Sequence, residues 1–344
     1  MSPIRPTLAL LVALACCGAA GSVRADEACR LRRVASVEAF VADGRPLQVA
    51  ATVAGIGTRL VVATGVRYSL LSHAFARRAA LPIEDVHAPP YGAQTQDVTA
   101  IFFLNAKIND AFGASDGQFS ERTRVPQLRL GTARSDDETF VVSPSGGDGT
   151  DGGPVGVFGA DYLSSYEVEI DPAAGRLNLY DHDHCPGRVV AWSAAYGAVP
   201  LHLDLESRRI SARVELDGIP LDAEIDTGEA GTTLSLAAAS RSFGLGAGSD
   251  RLVPAEPVAG LDGRHLASWS ARFRTLTLGG VIVHDPQIAV TDFRDGQPPP
   301  TGSHLPADAP PGLRIGMNVL KALHLVIAYG EDKLYYTPAR SAPL

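Results

Sequence analysis

The residue with the clearest chemical potential in this sequence is Asp226, which follows a predicted strand at 223–225 and precedes Thr227 and Gly228. A carboxylate at the end of a buried strand can take a proton from water, and a nearby glycine lets another backbone approach closely. Thr232 lies six residues beyond this aspartate. Alone, an Asp-Thr-Gly tripeptide is weak evidence, because the same residues also suit a tight turn.

The segment around this tripeptide occurs twice in the chain. Residues 63–72 align without a gap with residues 226–235, and each segment follows an alternating strand. Each then runs into an Ala-rich stretch, and we predict helices at 74–81 and 236–245. In the first copy the tripeptide consists of Ala63, Thr64 and Gly65.

A second pair of landmarks repeats further along, at residues 155–163 and 312–320. Each landmark is followed by a predicted hairpin, at 166–180 and at 324–336, with turn residues between its strands. Two landmarks in the same order at nearly equal spacing indicate an internal duplication. The sequence therefore predicts a duplicated, β-rich unit.

Together, the strand, the Asp-Thr-Gly tripeptide and a later segment resemble the retropepsin-like and pepsin-like aspartic peptidases, in particular bacterial exported members. The later segment is similar to the family's second signature and consists of Ile315, Gly316, Met317, Asn318, Val319 and Leu320. The resemblance covers most of residues 45–340. It implies an all-β fold of two fused retropepsin-like β-barrel lobes, related by a pseudo-two-fold axis. We predict the first copy at 26–187 and the second copy at 198–344.

In that family each lobe supplies one aspartate, and the two share a proton because like charges at close range cannot both ionise. The ionised carboxylate takes a proton from the attacking water, and the neutral one donates a hydrogen bond to the developing oxyanion. The resemblance implies that Asp226 is the catalytic carboxylate. It also implies that Thr64 and Thr227 bond across the interface between the lobes.

The first copy departs from the family, because Ala63 stands where the second copy has Asp226. Asp226 is therefore expected to have no carboxylate partner, and general acid or base help is worth about 10²–10⁴-fold in rate. Three alternatives stay open. Two chains could pair their copies of Asp226 in a homodimer, another acid such as Glu229 or Asp97 could reach in, or catalysis could be lost.

Two functions follow from these observations. The first hypothesis is an aspartic-type endopeptidase that cleaves extended polypeptide through an Asp-activated water and needs no cofactor. The alternative is a catalytically impaired pseudoprotease that binds a peptide or a protein partner in the cleft between the lobes, because strand addition gives affinity without catalysis. A monomer would favour the binder, and a dimer that depends on Asp226 would favour the enzyme.

Residues 1–25 have the three parts of an export signal: Arg5, an apolar stretch at 8–17 and small residues at 23–25. The apolar stretch is shorter than the roughly 20 residues that a membrane-spanning helix needs. We therefore expect an exported, periplasmic protein with no integral membrane segment after cleavage. Lipid attachment at Cys16 is the alternative.

The remaining composition restricts partners and compartment. Cys29 and Cys185 remain after cleavage, and an even pair in an exported protein predicts a disulfide. The net charge is −8 and no basic stripe occurs, so nucleic acid is not an expected partner. His182 and His184 have metal-ligand side chains, but no matching ligand pair occurs at zinc spacing, and no metal site is predicted.

Overall fold

The computed structural model describes residues 29–85, 121–205, 207–259, 265–292 and 312–339. Across these ranges the chain forms 24 strands and only short helices, which confirms the predicted all-β class. The predicted export signal and the candidate acid Asp97 lie outside the described residues. Within the ranges that are described, no helix is long and apolar enough to cross a membrane.

The strands before residue 190 are β1 (Arg33–Phe40), β2 (Gln48–Val53), β3 (Ile56–Val62), β4 (Leu70–Ser72), β5 (Ile83–Asp85), β6 (Glu121–Val125), β7 (Leu128–Leu130), β8 (Ala133–Ser135), β9 (Glu138–Ser143), β10 (Pro154–Phe158), β11 (Glu167–Asp171) and β12 (Arg176–Tyr180). Two helices accompany them, α1 (His73–Arg78) and α2 (Ala160–Leu163).

The later strands are β13 (Gly197–Leu203), β14 (Ile210–Leu216), β15 (Ile219–Ile225), β16 (Thr233–Ser235), β17 (Val253–Ala259), β18 (His265–Arg272), β19 (Thr275–Leu278), β20 (Val281–His284), β21 (Gln287–Thr291), β22 (Leu313–Ile315), β23 (Leu323–Ala328) and β24 (Lys333–Pro338). Helices α3 (Leu236–Phe243) and α4 (Met317–Leu320) accompany them, and a 3-10 turn spans Tyr329–Glu331.

Two larger sheets repeat the same pairing pattern strand for strand. The first runs β1, β2, β3, β10, β4, β9, β6 and β5, with β7 and β8 attached to β2. The second runs β13, β14, β15, β22, β16, β21, β18 and β17, with β19 and β20 attached to β14. In both sheets the strand that precedes the tripeptide (β3 or β15) pairs in parallel with the strand that precedes the short helix α2 or α4 (β10 or β22). The internal repeat of the sequence is therefore also a repeat of strand pairing.

A third, antiparallel sheet contains strands from both copies in the order β1, β12, β11, β23, β24 and β13. Its centre is the β11–β23 pair, in which Glu167 faces Ala328 and Ile170 faces Leu325. The two predicted hairpins, β11–β12 and β23–β24, lie side by side here. This sheet joins the copies through backbone hydrogen bonds.

The two predicted helices exist but end earlier than the Ala-rich pattern suggests. Ser72 and Ser235 cap their N-termini, where the side chains accept hydrogen bonds from the backbone N–H groups three residues on, at Phe75 and Ala238. After α1, Ala80 adopts a left-handed φ of 52°, and after α3, Gly244 adopts a φ of 67°. These left-handed residues end the helices before residues 81 and 245.

The predicted disulfide is present, and joins Cys29 to Cys185 with their Cα atoms 4.7 Å apart. It ties the first described residues to the segment that follows β12. Beside it, His184 places Nε2 3.0 Å from a carboxylate oxygen of Glu167 and Nδ1 3.8 Å from one of Glu331. The loop after β12 is thus fixed against the central sheet by a covalent bond and by polar contacts.

Candidate active site

The two tripeptide loops meet through hydrogen bonds between their threonines. The hydroxyl of Thr64 donates to the carbonyl of Ile225 at 2.6 Å, and the hydroxyl of Thr227 donates to the carbonyl of Val62 at 2.6 Å. Each threonine also donates its backbone N–H to the other's hydroxyl, at 3.4 and 3.2 Å. Both side chains are fully buried. This reciprocal pattern fixes the end of β3 against the end of β15.

Close approach of the loops explains the glycine in each tripeptide. A Cβ atom on Gly65 would overlap carboxylate oxygens of Asp226 and Glu224. A Cβ atom on Gly228 would overlap the side chain of Ala63. Each tripeptide therefore needs glycine, because residues of the other copy already occupy the space that a side chain at this position would fill.

The Asp226 carboxylate is held by backbone donors from both loops. Its Oδ1 accepts from the N–H of Gly228 at 2.8 Å and from the N–H of Gly65 at 3.1 Å. Its other oxygen, Oδ2, is buried and makes no hydrogen bond to any described residue. The whole residue has 0% of its surface exposed. One oxygen is thus fixed, while the second remains without a donor.

In each copy, a hydroxyl six residues after the start of the tripeptide donates a hydrogen bond to a side chain of the second repeated segment. In the second copy, Thr232 donates its hydroxyl to Oδ1 of Asn318 at 2.8 Å. In the first copy, Ser69 donates its hydroxyl to Oδ1 of Asp161 at 2.7 Å. Burial raises the pKa of Asp161 to about 6, although hydrogen bonds from Ser69 oppose this shift. Only the first copy has a titratable group at this position.

Around Asp226 lies a buried set of charged side chains, which we call the charged cluster: Glu224, Asp226, Glu229, Arg314 and Arg209. The guanidinium of Arg314 is 1% exposed and approaches all three acids, with N–O distances of 3.1 Å to Glu229, 3.6 Å to Glu224 and 3.8 Å to Asp226. Arg209 lies 3.6 Å from the same Oε2 atom of Glu224. Three carboxylates therefore share two guanidinium groups.

Strand pairing brings this cluster together. Glu224 and Asp226 are two residues apart at the end of β15, so their side chains lie on the same face. In the parallel pairing of β15 with β22, Glu224 is the direct partner of Arg314. Burial raises the pKa of Glu224, and the charge of Asp226 raises it further, while the two arginines oppose the shift.

A second carboxylate lies close to Asp226, although Ala63 in the first copy supplies none. Glu224, which the sequence analysis did not single out, places its Oε1 against the same point beside Gly65 as Oδ2 of Asp226. The available signal was an acid in an otherwise apolar strand end, together with an arginine inside the apolar segment at 313–315. Of the suggested alternative acids, Glu229 belongs to the cluster through Arg314.

The first copy has an apolar set at the equivalent positions. Val61 pairs with Val157 in the register in which Glu224 pairs with Arg314. The residues equivalent to Glu224, Asp226, Glu229 and Arg314 are Val61, Ala63, Val66 and Val157, which pack in one hydrophobic cluster with Leu70 and Val141. The same framework is thus filled by aliphatic side chains in one copy and by charges in the other.

The family described as Aspartyl protease matches residues 212–319. The chain resembles the aspartyl proteases. This match begins inside β14 and ends inside α4, so that it contains Asp226 and most of the charged cluster, while the first copy lies outside it. Among curated proteins, none matches the chain by sequence.

Three solved structures are similar to this chain, and two of them are described as aspartic proteases. Basic 7S globulin from soybean has 9% identity and a TM-score of 0.43, and the alignment covers 91% of this chain and 97% of that chain. The aspartic proteinase from Irpex lacteus has 13% identity and a TM-score of 0.43, with 88% and 96% covered. A retropepsin-like aspartic protease from Rickettsia conorii has 13% identity and a TM-score of 0.30, with 43% and 96% covered.

Proposed function

We propose that this chain is an aspartic-type endopeptidase built from two fused retropepsin-like lobes, residues 26–187 and 198–344, and that Asp226 is its catalytic carboxylate. The family match over 212–319 supports the reaction class. The observation that carries the proposal is the contrast between the two copies, in which only the lobe with Asp226 surrounds that position with buried charges.

The stability of the fold does not by itself explain why charged side chains are buried around Asp226. A buried ion cluster is often no more stable than apolar residues of similar volume, because desolvation offsets the Coulomb attraction. The apolar set of the first copy supports the view that aliphatic residues suffice for this framework. Buried groups with shifted pKa values are concentrated at functional sites, and Glu224 is such a group.

The chemistry is hydrolysis of a peptide bond by an activated water. Asp226 takes one proton as the water oxygen bonds to the carbonyl carbon of the substrate. The carbon–nitrogen bond then breaks, and the departing nitrogen leaves with a proton, which yields a carboxylic acid and an amine. Because Asp226 is fully buried, a substrate reaches it only after residues that cover the carboxylate move aside.

Substrate class and location follow from the same resemblance. An extended polypeptide fits a cleft between two lobes, where strand-like backbone pairing supplies affinity. The disulfide supports export to an oxidising compartment such as the periplasm. A homodimer that pairs two copies of Asp226 is disfavoured, because Gly65 of the same chain already contacts this side chain.

Cleavage of an unstructured polypeptide between about pH 3 and pH 7 tests the proposal. Wild type should cleave, Asp226→Asn should not, and Asp222→Asn should cleave like wild type because Asp222 is exposed on the same strand. Equal melting temperatures would show that all three proteins are folded. Cleavage retained in Asp226→Asn would refute the role of this residue.

A second candidate is a pseudoprotease that binds polypeptide without cleaving it. The observation that favours it is the complete burial of Asp226 opposite Ala63. Folded wild type that binds the unstructured polypeptide but releases no new amino termini at any pH in this range would establish this candidate instead.

A further inference from the structure

We propose that Glu224 is the second carboxyl group of this site and shares a proton with Asp226 in place of the aspartate that Ala63 lacks. This inference deepens the proposed peptidase function, but the proton sharing itself is a property of the folded protein. It assigns a chemical role to a residue on the same strand as Asp226, rather than to one from the other copy.

The geometry points to these two oxygens. Oδ2 of Asp226 and Oε1 of Glu224 are buried, and neither makes a hydrogen bond to any residue in the described ranges. Both crowd the same point beside the Cα of Gly65. Buried polar atoms without hydrogen-bond partners are rare in folded proteins, so these two oxygens need an explanation.

The charge balance of the cluster calls for one bound proton. Among the described residues of the cluster, Glu224, Asp226 and Glu229 carry three negative charges when ionised, and Arg314 and Arg209 carry two positive charges. A net charge in a buried site is unfavourable, so a single proton makes the cluster neutral. Tyr329, on the turn after β23, is buried near this cluster, and the charge of Asp226 adds to the burial that raises the pKa of its phenol.

Local contacts place that proton on Glu224. Asp226 already accepts two backbone N–H hydrogen bonds on Oδ1, and Glu229 lies 3.1 Å from Arg314. Glu224 has only the longer contacts of 3.6 Å to the guanidinium groups, both on Oε2. Its Oε1 is therefore the oxygen that carries the proton toward Asp226.

The proton then has a defined path during hydrolysis. Asp226 takes a proton from the water as Glu224 gives its proton to the substrate carbonyl oxygen, and a neutral gem-diol forms. When the carbon–nitrogen bond breaks, Asp226 returns its proton to the nitrogen and a diol hydroxyl returns one to Glu224. The site ends in the state in which it began, with one water consumed.

A carboxyl titration by ¹³C NMR tests the proton sharing without any need for activity. In wild type we expect the side-chain carbon of Glu224 to titrate in two steps, because a coupled pair loses its protons with shared macroscopic pKa values. In Asp226→Asn we expect one step at lower pH, since the negative neighbour is gone. Asp222→Asn, the surface control, should keep the wild-type curve.

A Glu224 curve that is the same in wild type and Asp226→Asn would overturn the inference, whether or not the protein cleaves peptides. If Asp226→Asn does not fold, a single-step curve for Glu224 in wild type overturns it alone. Failure of the proposed function looks different: coupled titration would persist in a protein that cleaves nothing at any pH.

Kinetics supply the second readout if the protein is active. Glu224→Gln should lower kcat by about 10²–10⁴-fold with little change in KM and remove one limb of the bell-shaped pH profile. Glu215→Gln, an exposed control on β14, should change neither. Ala63→Asp should restore activity to Glu224→Gln by supplying a carboxylate from the other loop. Full activity or an intact two-limbed profile in Glu224→Gln would overturn the assignment.

Discussion

Replacing the charged cluster by the residues of the first copy separates a functional from a structural role. The variant combines Glu224→Val, Asp226→Ala, Glu229→Val and Arg314→Val, so that the second copy receives the apolar set that already packs in the first. Because both sets occupy one framework, the expected backbone is unchanged. The matched comparison is Arg314→Val alone, which removes the central cation and leaves the three acids.

The magnitudes follow from burial. Arg314 is 1% exposed and approaches three carboxylates, so its removal leaves buried negative charge, with Arg209 as the remaining cation among the described residues of the cluster. Breaking a buried ion pair in this way costs about 3–5 kcal/mol, whereas replacing buried ions by apolar residues is neutral or stabilises by about 1–4 kcal/mol. Arg209 stays in the four-residue variant, and its side chain is partly exposed to solvent. The four-residue variant should therefore be more stable than the single variant by at least about 3 kcal/mol.

The assay is urea unfolding at neutral pH, with the disulfide intact and with the slope of the transition compared between variants. An unchanged slope shows that the same surface is exposed on unfolding, so that a shift in midpoint reports stability. The four-residue variant should also lose all peptide cleavage. If it is destabilised as much as Arg314→Val, the cluster holds the fold together and the functional argument fails.

Two further predictions concern the framework. Cys29→Ser opens a bridge with a sequence separation of 156 residues, so the free energy of unfolding should fall by about 5 kcal/mol, and equal urea midpoints with and without reductant in wild type would contradict this. The pKa of Asp161 is raised from 3.8 to about 6, so its ionisation should weaken the fold as the pH rises between these values, by about 1–3 kcal/mol after allowance for partial exposure. Asp161→Asn, which copies Asn318, should flatten this part of the stability–pH curve, and an unchanged slope would count against it.

Much of the architecture could be predicted because it is encoded locally. The alignment of 63–72 with 226–235 marks the duplication, and turn residues after each landmark mark the hairpins that form β11–β12 and β23–β24. The disulfide followed from cysteine number and compartment. The helix ends did not follow, because a left-handed alanine such as Ala80 has no signature in composition.

The second carboxylate could not be predicted, because its position depends on pairing between distant strands. Glu224 reads as an ordinary polar residue of an alternating strand until β22 is placed beside β15. In the sequence, Arg314 is a charged residue within an apolar segment. Only the pairing of β15 with β22 shows that it lies opposite Glu224. Only the parallel pairing turns these two local irregularities into one site.

The two copies have the same backbone framework, but they differ in the residues that could carry out chemistry. Thr64 and Thr227 make the same reciprocal hydrogen bonds, so both loops keep the geometry in which the two copies contact each other. At the positions of the charged cluster, in contrast, the described residues are charged in the second copy and apolar in the first. A dyad built from both lobes loses its acid when Ala63 replaces an aspartate, but a pair on one strand, Glu224 and Asp226, does not depend on the other loop for a carboxylate. The first copy is then needed for the shape of the site, through the N–H of Gly65, and not for its protons.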